Sequence, residues 1–308
     1  MILYAVSAFV ITLMLTPKVA QMMKKHGIMG KDVHKSIQPE IPEMGGLSYI
    51  LSLTIVFGLA FFLLNDTTFG AVLSVILLSA LIGVYDDIKG LTQAKKVVLT
   101  LFVGIPLLFF VKDTSVDFVL FSVNFSSSYY ILVLLAVSAC SNATNILAGF
   151  NGEEAGLGAI ASFSLGVCCI VLNNQLPQLL LFSLSASLIA FLIFNKYPAH
   201  VFPGDIGTLP IGALIAASVV IGKIEFLGFI ALLPAITEFL LKLGVSFKGK
   251  EYGPTKVVKG RLYPPPYVSV ANVLTRKFPL TEKTLVIMLW SLGGICGIIS
   301  VSAAFLMR

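Results

Sequence analysis

Charged side chains are scarce in this sequence of 308 residues. Asp, Glu, Lys and Arg together make up 12% of the chain, whereas a soluble domain carries about 25%. Hydrophobic residues account for 57%, and the mean hydropathy is +0.97. This composition excludes a soluble globular enzyme and predicts an integral membrane protein. We expect no nucleic-acid partner.

Paired cysteines and nucleotide-binding glycine motifs are both absent. Cys140, Cys168, Cys169 and Cys296 lie inside apolar runs without a CxxC pair, which favours buried free thiols over a disulfide framework or a zinc site. Neither GxxxxGK[ST] nor GxGxxG occurs, so a P-loop and a Rossmann nucleotide site are excluded. No basic stretch or cleavage site precedes Lys18, and we expect the apolar N-terminus to be a retained span.

Long apolar runs are what the sequence has in abundance. A helical span needs about 20 mostly apolar residues, and ten segments approach that length. They are 1–20, 45–64, 69–85, 94–111, 128–147, 155–173, 178–194, 206–222, 225–246 and 284–306. Of the 21 Lys and Arg residues, all but Lys112, Lys223 and Arg308 lie in or beside alternate breaks. Because positive residues stay in the cytoplasm, we predict about ten transmembrane helices with both termini outside.

Two breaks between the predicted spans are longer than the rest of their kind. Residues 115–127, on the outer side, alternate in hydropathy and predict a small external β-hairpin. Residues 247–283 form a long cytoplasmic loop before the last span. We expect the whole chain, 1–308, to be a single polytopic membrane domain of the all-α class.

Polar residues gather in four clusters, each at the cytoplasmic end of a predicted span. The first, 30–46, contains Lys35 and Glu43 and is also typical of a solvated loop. The second is the pair Asp86 and Asp87, directly after an apolar run. Adjacent residues on a helix point about 100° apart, but both can face one site where a helix unwinds. The pair indicates either helix termination or a site for a hard cation such as Mg²⁺ or Ca²⁺.

The third and fourth clusters carry amides and a further aspartate. Within 142–156, Asn142 and Asn145 lie on one helix face. Amides at membrane depth are costly unless they face the bundle interior or a wet cavity, so they indicate contacts between helices or a functional site. Asp205 follows a Pro-Gly pair and precedes an apolar run. It either caps the next helix or completes a metal site with the aspartate pair.

Together the clusters favour an enzyme over other membrane proteins. Carboxylates can hold Mg²⁺, which bridges phosphate oxygens, while lysines neutralise the remaining charge, so this mixture suits a metal-bound, phosphorylated substrate. A secondary transporter is the first alternative, but it places polar residues near the bilayer midplane, often in paired repeats, and no repeat is visible here. A structural scaffold would not need such clusters at four span ends.

Four motifs carry a resemblance to a known family. TNILAGFNGEEAG, YDDIKGLTQAKK, VFPGDIGTL and DVHK…IPEMGG resemble the polyprenyl-phosphate N-acetylhexosamine-1-phosphate transferases, and most closely the dolichyl-phosphate GlcNAc-1-phosphate transferases of eukaryotes and archaea. The resemblance runs from about residue 30 to residue 245 in the same order. It implies ten spans with both ends outside, which agrees with the charge distribution.

The resemblance also implies a reaction and its catalytic residues. A lipid phosphate attacks the β-phosphorus of a UDP-sugar, most simply UDP-GlcNAc, and UMP leaves, which is the first membrane step of lipid-linked glycan assembly for N-glycosylation. Mg²⁺ is required, with Mn²⁺ as the alternative. The family's metal ligands fall on Asn145 and Asp205, its aspartate pair on Asp86 and Asp87, and its phosphate-binding lysine on Lys96. The active site would face the cytoplasm from a plasma or endoplasmic-reticulum membrane.

The resemblance assigns further residues to the substrates. Uridine would lie near Gly149, Asn151 and Phe202, and Lys35 with Glu43 would match the family's first-loop lysine and glutamate. Asn142 is a further candidate for substrate binding. A homodimer is an expectation from the same analogy.

One feature departs from the family pattern. The last cytoplasmic loop contains no histidine, whereas family members carry a basic, often histidine-containing motif there that contributes to sugar recognition. Arg261 is the candidate for that role, and an interfacial cation near lipid headgroups is its other interpretation. The sugar therefore stays open. The same chemistry with another UDP-N-acetylhexosamine for cell-envelope polysaccharide is the alternative, and the peptidoglycan branch fits less well.

Overall fold

Helices make up most of the computed structural model, which describes residues 1–35, 37–147, 149–246, 257–263, 269–276 and 278–308. The helices of these residues are α1 (Ile2–Lys25), α2 (Leu47–Leu64), α3 (Thr68–Lys89), α4 (Gln93–Val103), α5 (Ile105–Leu108), α6 (Ser128–Leu147), α7 (Glu153–Val171), α8 (Gln175–Asn195), α9 (Asp205–Gly222), α10 (Glu225–Ala231), α11 (Leu233–Ser246), α12 (Val270–Thr275) and α13 (Glu282–Met307). The prediction of a helical membrane protein is thereby confirmed.

Eight of the described helices are long and apolar enough to cross a membrane: α1, α2, α3, α6, α7, α8, α9 and α13. The other two predicted spans, 94–111 and 225–246, are each divided into two consecutive helices. The first is interrupted at Gly104, between α4 and α5, and the second at Leu232, between α10 and α11.

Proline accounts for the interruption between α10 and α11. Pro234 is the second residue of α11. Proline has no N–H, and its ring collides with the carbonyl one turn earlier, so a continuous helix cannot pass through it. The helix therefore ends at Ala231 and begins again at Leu233.

Three short antiparallel hairpins complete the described structure. Their strands are β1 (Met29–Lys31) with β2 (Glu40–Pro42), β3 (Ser115–Asp117) with β4 (Ser122–Asn124), and β5 (Val257–Val258) with β6 (Arg261–Leu262). Val116 pairs with Val123, so the hairpin expected within 115–127 is present. The β5–β6 hairpin and α12 belong to the predicted loop 247–283, of which residues 247–256, 264–268 and 277 lie outside the described residues.

The helix α9 lies at the centre of the bundle. In its apolar window 89% of the residues are buried, compared with 22% in α1, and a helix that is apolar all round is expected in the interior. Gly83 of α3 permits close contact at its start, because a Cβ there would lie 2.3 Å from the carbonyl oxygen of Asp205. The first turn of α9 is therefore packed directly against α3.

Candidate active site

The ammonium group of Lys96 lies where four helices meet. Its Nζ is 2.6 Å from Oδ2 of Asp205 on α9, donates to Oδ1 of Asn145 on α6 at 3.1 Å, and forms an ion pair with Asp86 on α3. Lys96 itself, on α4, is only 7% exposed. A buried charge is tolerated when it is paired and hydrogen-bonded, and Lys96 meets both conditions. Four predicted catalytic or metal residues are thus in direct contact.

The side-chain amide of Asn145 has a donor as the partner of its oxygen and acceptors as the partners of its nitrogen. Its Nδ2 donates to Oδ1 of Asp205 at 2.7 Å and to Oγ1 of Thr208 at 2.9 Å. Because an ammonium group only donates and a carboxylate only accepts, the amide oxygen must face Lys96 and the amide nitrogen must face Asp205. The orientation of the Asn145 amide is therefore fixed by its partners.

Asp87 binds the N-terminus of α9. Its Oδ1 accepts from the backbone N–H of Asp205 at 2.8 Å, and its Oδ2 accepts from that of Ile206 at 3.0 Å. The first N–H groups of a helix have no partner within the helix and attract negative charge. Of the two interpretations of Asp205, the one in which it caps its own helix is contradicted, because Gly204 occupies the cap position and no side chain caps the helix from there. Asp87, from another helix, supplies that carboxylate.

The two neighbouring aspartates therefore have different partners within one region. Both remain helical, because α3 continues to Lys89, beyond the end at residue 85 that the sequence predicted. Asp86 binds Lys96 and also accepts from the backbone N–H of Leu91 at 2.5 Å. Asp205 is linked to both aspartates. Its side chain contacts Lys96, which is the partner of Asp86, and its backbone N–H donates to Asp87.

The oxygen atoms around Lys96 suit a hard cation. Side-chain oxygens of Asp86, Asn145 and Asp205 converge on one positive group, and Mg²⁺ prefers such ligands, using one or two carboxylates together with waters and phosphates. Within the described ranges no group of three His, Cys, Asp or Glu side chains is arranged to hold a metal. A cation here would thus depend on the amide oxygen of Asn145 beside carboxylates.

A cavity of about 180 Å³ adjoins this cluster. Five of the predicted site residues line it: Glu43, Gly149, Asn151, Phe202 and Asp205. Burial, together with the nearby negative charge of Asp87, raises the pKa of Glu43. The structure thus brings the first loop, the turn before α7 and the loop before α9 to one cavity beside the predicted cation site.

Three predicted substrate residues lie elsewhere. Asn142 is fully buried between α4 and α6, where its Nδ2 donates to Oγ1 of Thr100 at 2.8 Å, so it joins helices. Lys35 is 3.3 Å from Asp32 and forms an ion pair with Glu282. Arg261 is exposed and donates to the carbonyl of Pro279 at 3.3 Å. None of the three lines the 180 Å³ cavity.

A second cavity, of about 680 Å³, lies beside the first. Asp32 and His34 line both cavities, and Lys35 and Tyr197 line the second. The imidazole of His34 is stacked on Phe150 with ring centroids 4.5 Å apart, and burial lowers its pKa. Gly260 and Leu262, the neighbours of Arg261 in the β5–β6 hairpin, also line the second cavity.

Several residues at the two cavities were not predicted as site residues. Asp32 and His34 belong to the first polar cluster, so their position could have been expected. Glu154 and Thr208 also line the first cavity; Glu154 lies within the third cluster, and Thr208 is three residues after Asp205 of the fourth. Glu282 carries no comparable signal, because a lone acid in the first turn of a helix is ordinarily explained by the helix dipole.

Comparison with known proteins shows the family of this chain. The model of glycosyl transferase family 4 matches residues 69–223, from the second residue of α3 to the residue after α9. A candidate UDP-N-acetylglucosamine–dolichyl-phosphate N-acetylglucosaminephosphotransferase of Saccharolobus solfataricus is 35% identical over 305 residues, 96% of this chain and 94% of the relative. A candidate glycosyltransferase of Methanocaldococcus jannaschii is 34% identical over 306 residues, 97% of this chain and 95% of the relative.

A relative of a second kind matches a smaller part of this chain. The phospho-N-acetylmuramoyl-pentapeptide-transferase of Thermotoga petrophila is 30% identical over 257 residues, 78% of this chain and 82% of the relative. The relatives of Saccharolobus solfataricus and Thermotoga petrophila are named as transferases of a phosphorylated sugar, and that of Methanocaldococcus jannaschii as a glycosyltransferase. The family model covers Asp86, Lys96, Asn145 and Asp205, the residues that the fold assembles into one cluster. The chain belongs to glycosyl transferase family 4.

Proposed function

We propose that this protein transfers N-acetylglucosamine 1-phosphate from UDP-N-acetylglucosamine to a polyprenyl or dolichyl phosphate, with release of UMP. The observation that carries the proposal is the buried cluster of Asp86, Lys96, Asn145 and Asp205 beside a cavity lined by Asn151 and the other predicted uridine residues. A diphosphate needs positive charge next to a binding surface for its nucleoside, and these two features meet both needs.

The reaction exchanges one phosphoanhydride bond for another. An oxygen of the lipid phosphate forms a bond to the β-phosphorus of UDP-N-acetylglucosamine, and the bond from that phosphorus to the bridging oxygen breaks. UMP leaves with the bridging oxygen and the electron pair. A phosphate monoester is already largely anionic near neutral pH, so the lipid nucleophile needs little help from a base. Positioning and neutralisation of charge are the main requirements.

The residues of this chain meet those requirements in distinct ways. Lys96 places a positive charge at the diphosphate, and Asp87 fixes the first turn of α9, from which Asp205 projects. Asn145 and Asp205 would hold Mg²⁺, or Mn²⁺ in its place, with Asp86 adjacent. When bound, the metal supplies neutralisation of the diphosphate oxygens.

The proposal includes ten membrane crossings and a cytoplasmic active site. The two divided helices, α4–α5 and α10–α11, would each cross as one interrupted span in addition to the eight long helices. An even number of crossings would put both termini on one side, and the distribution of Lys and Arg supports the outer side for both. The ends of α3 and α6 and the starts of α4 and α9 contribute the cluster, which supports one active surface.

The sugar is proposed from the relatives. The N-acetylglucosaminephosphotransferase match covers 96% of this chain at 35% identity, and the pentapeptide-transferase match covers 78% at 30%. The broader match supports N-acetylglucosamine. Transfer of a different UDP-N-acetylhexosamine is the alternative, because the histidine-containing motif of the last loop is absent from the sequence.

Purified protein tests the proposal directly. It is incubated with Mg²⁺, dolichyl phosphate and radiolabelled UDP-N-acetylglucosamine, beside the same reaction with other UDP-sugars. Label in the lipid with release of UMP is the expected result. Release of UDP would mean transfer of the sugar alone and would overturn the mechanism. The absence of product from every UDP-sugar would favour the transporter alternative.

A further inference from the structure

A closed ring of four buried or partly buried residues lies between the two cavities, with two members lining the first and three lining the second. The Oε1 atom of Glu282 accepts from the backbone N–H of Asn151 at 2.8 Å, and its Oε2 forms an ion pair with Lys35. Lys35 is 3.3 Å from Asp32, whose Oδ2 accepts from Nδ2 of Asn151 at 3.0 Å. Asp32 and Asn151 are each 5% exposed and Glu282 is 4% exposed.

The chemistry of the four groups gives the ring one arrangement. A carboxylate only accepts hydrogen bonds and an ammonium group only donates them. Glu282 therefore accepts from Asn151 through Oε1 and faces Lys35 with Oε2, whereas Asp32 faces both partners with Oδ2. The backbone N–H and the side-chain amide of Asn151 are thereby both held in position, the first by Glu282 and the second by Asp32. Buried networks of this kind hold a single geometry when every member is satisfied.

The helix α13 holds the same turn at a second point. Nε1 of Trp290 donates to the carbonyl of Gly152 at 3.2 Å, one residue after the contact of Glu282 with Asn151. A Cβ on Gly156 would lie 2.1 Å from Nε1 of Trp290, so the indole is also packed against the first turn of α7. The last span therefore forms the outer support of a turn that lines the cavity through Gly149 and Asn151.

We propose that Glu282 is a positioning residue for the nucleotide site, acting through Asn151. By accepting the Asn151 N–H and pairing with Lys35, it sets the turn at 149–152 in the geometry that binds the nucleotide of the donor. Lys35 then serves inside the ring, because its ammonium group is engaged by two carboxylates, and it does not bind the donor phosphates itself. This inference rests on the proposed function and adds the last span to the donor site.

The variant Glu282→Gln tests the role with the least change in volume. Its amide oxygen can still accept from Asn151, but the amide N–H groups face the donors of Lys35, so the ring opens. Loss of a hydrogen bond to a charged group predicts affinity for UMP that is about tenfold weaker or more, measured by equilibrium binding of radiolabelled UMP. The KM for UDP-N-acetylglucosamine should rise by a similar factor, while the KM for dolichyl phosphate stays within about twofold.

Two comparisons separate positioning from a general structural effect. Glu40→Gln removes an exposed carboxylate of the same first loop and should leave both KM values unchanged. Trp290 is the only tryptophan of the sequence and contacts the turn, so its emission should change when UMP binds to the wild-type protein. UMP binding without any change in Trp290 emission would overturn the link between this turn and the nucleotide.

A double variant tests whether the ring acts as a unit. Lys35→Met retains the aliphatic stem and removes the charge. If Lys35 works only inside the ring, Glu282→Gln/Lys35→Met should weaken UMP and UDP-N-acetylglucosamine no more than the worse single variant does, because coupled residues are not additive. A further loss of donor affinity by the full factor of Lys35→Met would show direct phosphate binding and overturn the assignment.

The remaining outcomes are equally decisive. Unchanged affinity for UMP in Glu282→Gln overturns the positioning role, and so does an equal rise in the KM values of donor and lipid. If the wild-type protein and the Glu282 variant bind UMP and transfer the sugar phosphate equally well, the inference is contradicted but the proposed function stands. Failure of the wild-type protein in both assays removes the proposed function, and the inference falls with it.

Discussion

Gly83→Ala is a small change at the contact between α3 and α9. A Cβ at this position would lie 2.3 Å from the carbonyl oxygen of Asp205 and 2.4 Å from the backbone N of Ile206. A relaxed contact between carbon and oxygen needs about 3.3 Å, so one helix must move by about 1 Å. The neighbours that resist are backbone atoms, which cannot rotate away as a side chain can.

The expected effects of Gly83→Ala on stability and on activity differ in size. Overpacking of this kind costs about 1–3 kcal/mol, and replacing a helical glycine by alanine returns about 1 kcal/mol, so the net loss of stability should be about 2 kcal/mol or less. Activity should suffer more. Whichever helix moves, Asp86 and Asp87 on α3 shift relative to Asp205 on α9, and a displacement of about 1 Å in a reacting geometry can cost about a hundredfold in rate.

The assay compares transfer activity and thermal unfolding with those of a matched variant. Gly58 also lies within a membrane-spanning helix, α2, but a Cβ there meets no atom within 4 Å. Gly58→Ala should keep full activity and unfold at the same temperature or slightly higher. If Gly83→Ala is as active as Gly58→Ala, close packing of α3 on α9 does not set the catalytic geometry and the reasoning fails.

Three further predictions address the cluster and the cavity. Lys96→Met leaves the carboxylates of Asp86 and Asp205 without their cation, and kcat should fall by about a hundredfold or more; a loss below about threefold would contradict the role. Asn145→Ala should abolish turnover and the response to added Mg²⁺, while a chelator should inactivate the wild-type protein reversibly; Mg²⁺-stimulated turnover in the variant would contradict metal binding by Asn145. Because burial lowers the pKa of His34 below its ordinary value of 6.5, the unfolded chain takes up that proton first as the pH falls, and stability is lost from about pH 6.5 downward. The melting temperature of His34→Gln should therefore fall less than that of wild type between about pH 7.5 and about pH 5.5, and an equal fall in both proteins would contradict this.

Hydropathy predicted most of the fold, and local partners decided what it missed. The eight long helices coincide with apolar runs because span length and composition are direct requirements of the bilayer. The third span was expected to end at residue 85, yet α3 continues to Lys89, because Asp86 and Asp87 find partners inside the protein and need no water. The interruption at Gly104 was not predicted, since a single glycine can also lie within a continuous helix.

The candidate site could be predicted as a set of residues but not as a set of contacts. Lys96 and Asp205 are 109 positions apart, and sequence patterns place both at one membrane surface without pairing them. Asn142 was predicted as a site residue but does not line the cavity. It shares a helix face with Asn145, but three residues along a helix are about 4.5 Å, so Asn142 lies deeper in the bundle, where Thr100 is its partner.

The formal charges of the cluster explain why two adjacent aspartates are needed at the end of α3. The negative charge of the Asp87 carboxylate is balanced by the positive N-terminal end of α9, from which it accepts two hydrogen bonds. Asp86 and Asp205 face a single ammonium group, that of Lys96, which leaves one unit of negative charge uncompensated. A divalent cation brought in with an anionic donor would neutralise that charge. Under the proposed function, Asp86 would thus add to the attraction for a metal, while Asp87 holds in place the helix that carries Asp205.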